Sequence, residues 1–233
     1  MAPRPSPRRA LVASASAVVV AFGAAACDPR TPVLPVPAPG AIPAPASSSA
    51  TPPGTAPWTI RGPSSLNAAQ LTAWFNSRPR NGSRPPVPVA DLARFYIEEG
   101  NREGVAGDRA FVQAVLETGW FSFSTRVPPT FHNFAGIGAV DGGTRASSFP
   151  DARSGVRAQI QHLRAYATPG IRSSDFASPI VAKRTRQVLG YIAGRADLWS
   201  EMGDGNWASD PQYAEKIDRL YREAAAHARV TIK

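Results

Sequence analysis

Apolar residues recur at a helical period over most of the chain beyond residue 64, with one long break in the middle. Residues 66–75 carry Leu71, Trp74 and Phe75 and predict a short helix. Residues 76–88 are rich in Pro, Gly and Arg and predict a loop. Residues 91–103 place Leu92, Phe95, Tyr96 and Glu99 at helical spacing and run into Gly104, a helix stop. On that helix Glu98 and Glu99 read as a solvated face. Asp108 suits the N-cap of a helix reaching Thr118, with Phe111, Val112, Val115 and Leu116 as its apolar face and Gly119 as its terminator. Residues 121–149 break the period: four glycines (Gly136, Gly138, Gly142, Gly143) and two prolines predict a small β-hairpin or loop lobe. Helical spacing resumes with Val156, Ile160, Leu163 and Ala167. The pairs Ser178-Pro179 and Asp210-Pro211 predict helix starts, because Ser or Asp caps and Pro fits the first turn. Tyr213, Ile217, Leu220, Tyr221 and Ala224 form the inner face of the last helix. The expected class is α+β, mainly α-helical, with one small β element and no internal repeat.

The first 63 residues follow other rules. Arg4, Arg8 and Arg9 precede 16 residues, 11–26, that carry no charge and end in Ala24-Ala25-Ala26. A basic stretch, a short apolar stretch and small residues make an export signal over residues 1–27, and about 20 apolar residues would be needed for a permanent span. Cys27 follows the small triplet as the lipidated cysteine of a bacterial lipoprotein does, although Ala24 stands where Leu or Val is usual. Lipidation at Cys27 would give stable membrane attachment. An ordinary cleaved signal is the alternative. Residues 28–63 hold eleven prolines among Ala, Ser and Thr, which deny the backbone its donors and leave little to bury. That composition predicts a disordered, semi-stiff spacer ahead of a folded domain at 64–233. The expected location is outside the cell, either the outer face of the cytoplasmic membrane as a lipoprotein or the cell wall after secretion.

Charge and cysteine usage narrow the chemistry. The formal net charge is +9, and residues 64–233 retain 21 basic against 16 acidic side chains. A mildly basic domain favours an anionic polymer without naming it. One cysteine in the chain permits no intrachain disulfide. His132, His162 and His227 lie at no ligand spacing, so neither a metal nor any other cofactor is expected.

Glu117 is the one residue whose position calls for chemistry. On a helical wheel it lies outside the apolar arc, near Gln113, so a solvated surface glutamate is the plain reading. Against this, Glu117 occupies the last turn, where the helix dipole disfavours an anion, and Gly119-Trp120-Phe121 follows at once. A carboxyl against an aromatic wall has a raised pKa, as a glycosidase general acid requires near neutral pH.

The run Phe111 to Trp120, FVQAVLETGW, resembles the helix-end signature of bacterial glucosaminidases, glycoside hydrolase family 73. Asn133-Phe134-Ala135-Gly136-Ile137 is similar to the segment that enters that family's β-lobe, with a small change of spacing. Trp207-Ala208-Ser209-Asp210-Pro211-Gln212-Tyr213 is similar to its C-terminal motif. The three blocks stand in the family's order over residues 90–229. The resemblance implies a lysozyme-like α+β fold with a cleft between a helical body and a β-lobe. It implies hydrolysis of the β-1,4 bond on the reducing side of N-acetylglucosamine in peptidoglycan glycan strands, with no nucleic acid as partner. It places Glu117 as general acid, Tyr213 as the cleft tyrosine, and Asn133, Phe134 and Gly136 in the turn that lines the cleft. Trp120 and Trp207 can stack on sugar rings or pack internally.

The second carboxylate stays open. An inverting enzyme needs a base about 6.5–9.5 Å from the acid. The single acid between Phe121 and Phe149 is Asp141, in an Asp-Gly sequence that also signals a turn. If Asp141 is not the base, attack by the substrate's own N-acetyl group leaves Glu117 as the essential carboxylate. Two further readings are an amidase acting on the stem peptide and a wall-binding lipoprotein without turnover. The first lacks zinc ligands and a cysteine beyond the leader.

Overall fold

A computed structural model describes residues 58–78, 82–139 and 146–232, and six α-helices carry the fold of those described residues. The expected signal, Cys27, most of the spacer and Asp141 lie outside the described residues. Helix α1 (Ala68–Asn76) opens on a capping box, in which Asn67 Oδ1 accepts from the Gln70 amide and Gln70 Oε1 accepts from the Asn67 amide, each at 2.9 Å. Helix α2 (Val89–Glu103) ends where Gly104 turns left-handed, at φ 68°. Helix α4 (Ala152–Tyr166) is capped by Asp151, which accepts from the Ser154 amide at 2.7 Å.

Helix α3 (Gly107–Glu117) is the axis of the molecule. Every residue from Gly107 to Val115 is buried, and α1, α2, α4 and α6 all pack on it. Burial on all sides explains why its polar positions are not solvated. Two glycines let α2 and α3 cross closely: a methyl on Gly107 would meet the Tyr96 carbonyl oxygen at 2.1 Å, and one on Gly100 would meet the Gly107 Cα at 2.8 Å. The remaining helices, α5 (Lys183–Ile192) and α6 (Tyr213–His227), close the body against α4 and α3 respectively.

Several expectations are corrected. Asp108 does not cap α3, which starts one residue earlier; its carboxylate instead accepts from the Ser65 and Leu66 amides at 2.7 and 3.0 Å and from the Tyr221 hydroxyl at 2.6 Å. It ties the N-terminal segment to the last helix. Ser178-Pro179 does not start α5, because both carbonyls are turned to the buried Gln161 amide, at 3.1 and 3.3 Å. Asp210-Pro211 makes a turn two residues before α6, with Asp210 accepting from the Gln212 amide at 2.9 Å. Glu99 is not solvated: it is 1% exposed and takes Arg153 and Arg157 at 2.7 and 2.8 Å. The packed body also begins earlier than residue 64, since Ile60 is fully buried and its carbonyl accepts from the Ala106 amide at 3.0 Å.

The middle segment takes the loop form of the expected lobe. Among its described residues there is no strand; a 3₁₀ turn, Pro129–Phe131, is followed by a tight turn at residues 133–137. The Ser147 amide donates to Ile137 at 2.9 Å and the Phe149 amide to Phe131, also at 2.9 Å, which folds the lobe back on itself. Gly155 of α4 seats this lobe, because any side chain there would strike the His132 carbonyl oxygen at 1.7 Å. The architecture is mainly helical.

Candidate active site

The last turn of α3 delivers Glu117 to a groove of about 300 Å³, lined by Thr118, Gly119, Ser122, Phe123, Asn133 and Gly136, among others. The chain reaches that groove through an unusual turn. Gly119, Trp120 and Phe121 are all left-handed, at φ 57°, 61° and 55°. Such a conformation strains non-glycine residues by about 1 kcal/mol or more each, so packing must hold it. It does: the Trp120 ring lies 5.2 Å from Trp74 and 5.7 Å from Phe75, and Phe121 is fully buried against Phe75 and Phe111. Thr118 locks the turn, its hydroxyl donating to Ala114 at 2.7 Å and accepting from the Phe121 amide at 2.9 Å. Helix α3 therefore stops at the glutamate and the aromatic residues swing back into the core.

One oxygen of Glu117 is occupied by two neutral donors. Trp207 Nε1 donates to Oε1 at 2.9 Å, and the Tyr213 hydroxyl donates to the same atom. None of the ion pairs among the described residues includes Glu117. Burial pushes the Glu117 pKa above the usual carboxylate range, and the bonds from Tyr213 and Trp207 pull it part of the way back. Burial, and then the nearby Glu117 charge, hold the Tyr213 pKa well above the phenol value, so Tyr213 keeps its proton and acts as a donor. With Oε1 filled by donors, the proton of the neutral acid belongs on Oε2.

The side chains expected from sequence divide into groups. Glu117, Trp207 and Tyr213 meet directly. Asn133 and Gly136 line the groove, and Asn133 builds the turn: its Nδ2 donates to the Ile137 and Ser147 carbonyls, both at 2.9 Å, and its Oδ1 accepts from the Ile137 amide at 3.0 Å. Phe134 is a correction. It is 1% exposed, packed among Tyr96, Phe121 and Phe123, and so has no face to offer a substrate. Trp120 packs on α1 and is not among the groove-lining residues. Trp207 is half-buried, its ring 5.4 Å from His162 and 5.8 Å from Tyr166. Asp141 lies outside the described residues.

Sequence reading missed Thr118, Ser122, Phe123, Ser124 and Val127, which line the groove from a loop without period. It also missed Gln113 and Gln159, both fully buried beneath the site. A signal for them existed: Gln113 precedes Glu117 by one helical turn, and Gln159 sits next to Ile160 inside an apolar stripe. Among the described residues no cluster of three or more His, Cys, Asp or Glu could hold a metal, and no helix is long and apolar enough to cross a membrane.

Two comparisons with known proteins match this chain. The family model Glucosaminidase, described as mannosyl-glycoprotein endo-beta-N-acetylglucosaminidase, matches residues 93–226, from α2 to the end of α6. A protein of Borreliella burgdorferi, named "Uncharacterized protein", is 36% identical over 137 residues, which are 58% of this chain and 62% of that relative. The chain thus spans a little under two thirds of the relative's length.

Proposed function

Because the chain belongs to the glucosaminidase family, a family of peptidoglycan glycosidases, we propose that it hydrolyses the β-1,4 bond on the reducing side of N-acetylglucosamine, with Glu117 as proton donor. One observation carries this reading: a carboxyl at a helix end faces a groove with its pKa raised by burial and, among the described residues, no ion-pair partner. That combination favours the protonated form of the carboxyl, as general-acid catalysis requires.

The step balances as follows. Glu117 Oε2 gives its proton to the glycosidic oxygen as the bond from that oxygen to the anomeric carbon breaks. The carboxylate so formed is stabilised by the Trp207 and Tyr213 donors already on Oε1, which strengthen as charge appears. The anomeric carbon is then taken by water. In one version Asp141 accepts that water's proton. In the other the substrate's acetamido oxygen attacks first, and water opens the resulting ring while returning a proton to Glu117. An Asp141→Asn variant separates the versions: a loss of about 10²-fold or more assigns the base, and a retained rate assigns the acetamido group.

The location proposed with this function is outside the cell, with the lipid at Cys27 as anchor and the proline-rich spacer as reach into the wall. The test of function uses the full chain on purified peptidoglycan, with borohydride reduction and mass spectrometry of the products. Reduced N-acetylglucosamine ends are expected. Free stem peptides would indicate an amidase, and binding without release would indicate a wall-binding protein; either result would overturn the proposal.

A further inference from the structure

Beneath Glu117 lies a file of polar side chains that crosses the core from α2 to the groove. The Tyr96 hydroxyl of α2 donates to Gln159 Oε1 of α4 at 2.5 Å. Gln159 Nε2 donates to Gln113 Oε1 of α3 at 2.8 Å. Gln113 Nε2 donates to the Tyr213 hydroxyl oxygen of α6 at 3.0 Å. The Tyr213 hydroxyl donates to Glu117 Oε1. Tyr96, Gln159 and Gln113 are fully buried and Tyr213 is 6% exposed. Every donor in the file points the same way, toward the carboxyl.

That direction is not free to reverse. Gln159 Nε2 also donates to the Ala110 carbonyl at 3.2 Å, and a backbone carbonyl can only accept. The Ala110 carbonyl therefore fixes which end of the Gln159 amide is the nitrogen. The second N–H of that nitrogen requires an acceptor, which fixes the Gln113 oxygen, and so turns the Gln113 nitrogen toward Tyr213. With its oxygen taken by a donor, the Tyr213 hydroxyl has its proton left for Glu117. A chain of bonds with one polarity strengthens each member, most at its charged end. Two turns of α3 connect the parts: Ala110, Gln113 and Glu117 fall on one face at i, i+3 and i+7.

We propose that Gln113 is a positioning residue, which, anchored through Gln159 to the Ala110 carbonyl, forces the Tyr213 hydroxyl to donate to Glu117 and so assigns the catalytic proton to Oε2. The proposal deepens the proton-donor reading and rests on it. The groups that bear on Glu117 are Tyr213 from α6 and, behind Trp207, His162 from α4, which feels Arg184 of α5. The half-buried Lys216–Asp210 pair stands at the start of α6.

The test is a double-mutant cycle in the full chain, with Gln113→Leu made in the wild-type and in the Tyr213→Phe backgrounds. The first readout is the titration of the Glu117 carboxyl, followed by NMR of carboxyl-13C glutamate and assigned by its loss in Glu117→Gln. In the wild-type background Gln113→Leu should move the midpoint upward, because a less polarised hydroxyl stabilises the anion less. In the Tyr213→Phe background it should move the midpoint no further. The second readout is turnover of soluble glycan strands: kcat should fall a few-fold to about tenfold, the worth of one hydrogen bond, with KM unchanged. Equal movements in both backgrounds, or lower thermal stability with an unmoved midpoint, would overturn the proposal. Should Gln113→Leu not fold, Gln159→Met removes the anchor one step earlier; a smaller upward movement is expected and an unmoved midpoint overturns it. Because the titration needs no turnover, an active Glu117→Gln enzyme would defeat the proton-donor reading and leave this result to stand or fall separately.

Discussion

The indole N–H of Trp207 donates to Glu117 across 2.9 Å of space and 90 residues of sequence. The two residues belong to different parts of the chain: Glu117 ends the central helix, and Trp207 lies in the loop before α6. Their bond makes the helix end and that loop one unit, with the Tyr213 hydroxyl as the third member.

Replacing Trp207 by Phe keeps a ring against His162 and Tyr166 and removes the donor. The indole bond lowers the Glu117 pKa from where burial puts it, so its loss lets that pKa rise. A general acid works only while protonated, and the alkaline limb of the pH–rate profile should therefore move to higher pH. The carboxylate product also loses a partner, so kcat should fall about tenfold. A rate profile across pH checks both.

Glu117→Gln should make the protein more stable at neutral pH. The folded pKa of Glu117 is raised above its unfolded value. Its stabilising contribution is thus present below the unfolded pKa and is lost as pH rises through the folded one. Above that range the wild type is destabilised by about 1.4 kcal/mol for every pH unit that separates the folded pKa from the unfolded one. A neutral glutamine escapes that cost while still accepting from Trp207 and Tyr213. Thermal melts of both proteins should differ by a few degrees at neutral pH and converge in acid.

His162 should make the protein acid-labile. Burial, with Arg184 adding to it, lowers its pKa to about 4, while the imidazole pairs with the Thr185 hydroxyl at 2.9 Å. A depressed histidine contributes stability above its unfolded pKa, lost as pH falls toward the folded one. Between about pH 6.5 and 4 the loss is on the order of 3 kcal/mol. Denaturant midpoints of His162→Gln should decline less over that window than those of the wild type.

Asn133→Ala should unlace the turn that carries Gly136 to the groove. The side chain bonds two carbonyls and accepts from two amides while 1% exposed. Leaving those groups buried without partners should cost about 3 kcal/mol, or roughly 10 °C in melting temperature, and reduce turnover as the groove wall loosens.

Helix periodicity located α1, α2, α3, α4 and α6 to within a few residues, because an amphipathic stripe is a local property of sequence. The helix starts failed where capping residues had a tertiary task. Asp108 was drawn to Ser65, Leu66 and Tyr221, and the Ser178 and Pro179 carbonyls to Gln161. Glu99 looked solvated because its partners, Arg153 and Arg157, lie more than 50 residues away. At the site, Glu117, Trp207 and Tyr213 were legible as motif residues. Their shared oxygen was not, since only folding brings α6 and its preceding loop to the end of α3. Phe134 misled for the opposite reason: it sits inside a site motif, and its ring fills the core.

The most direct test of the account is the rate at which full-length wild type and Glu117→Gln release reducing ends from purified peptidoglycan, beside their retention on the same material. With Glu117 as proton donor, the glutamine variant should lose about 10²–10⁴-fold in turnover and keep its binding. Turnover at the wild-type rate would contradict the account.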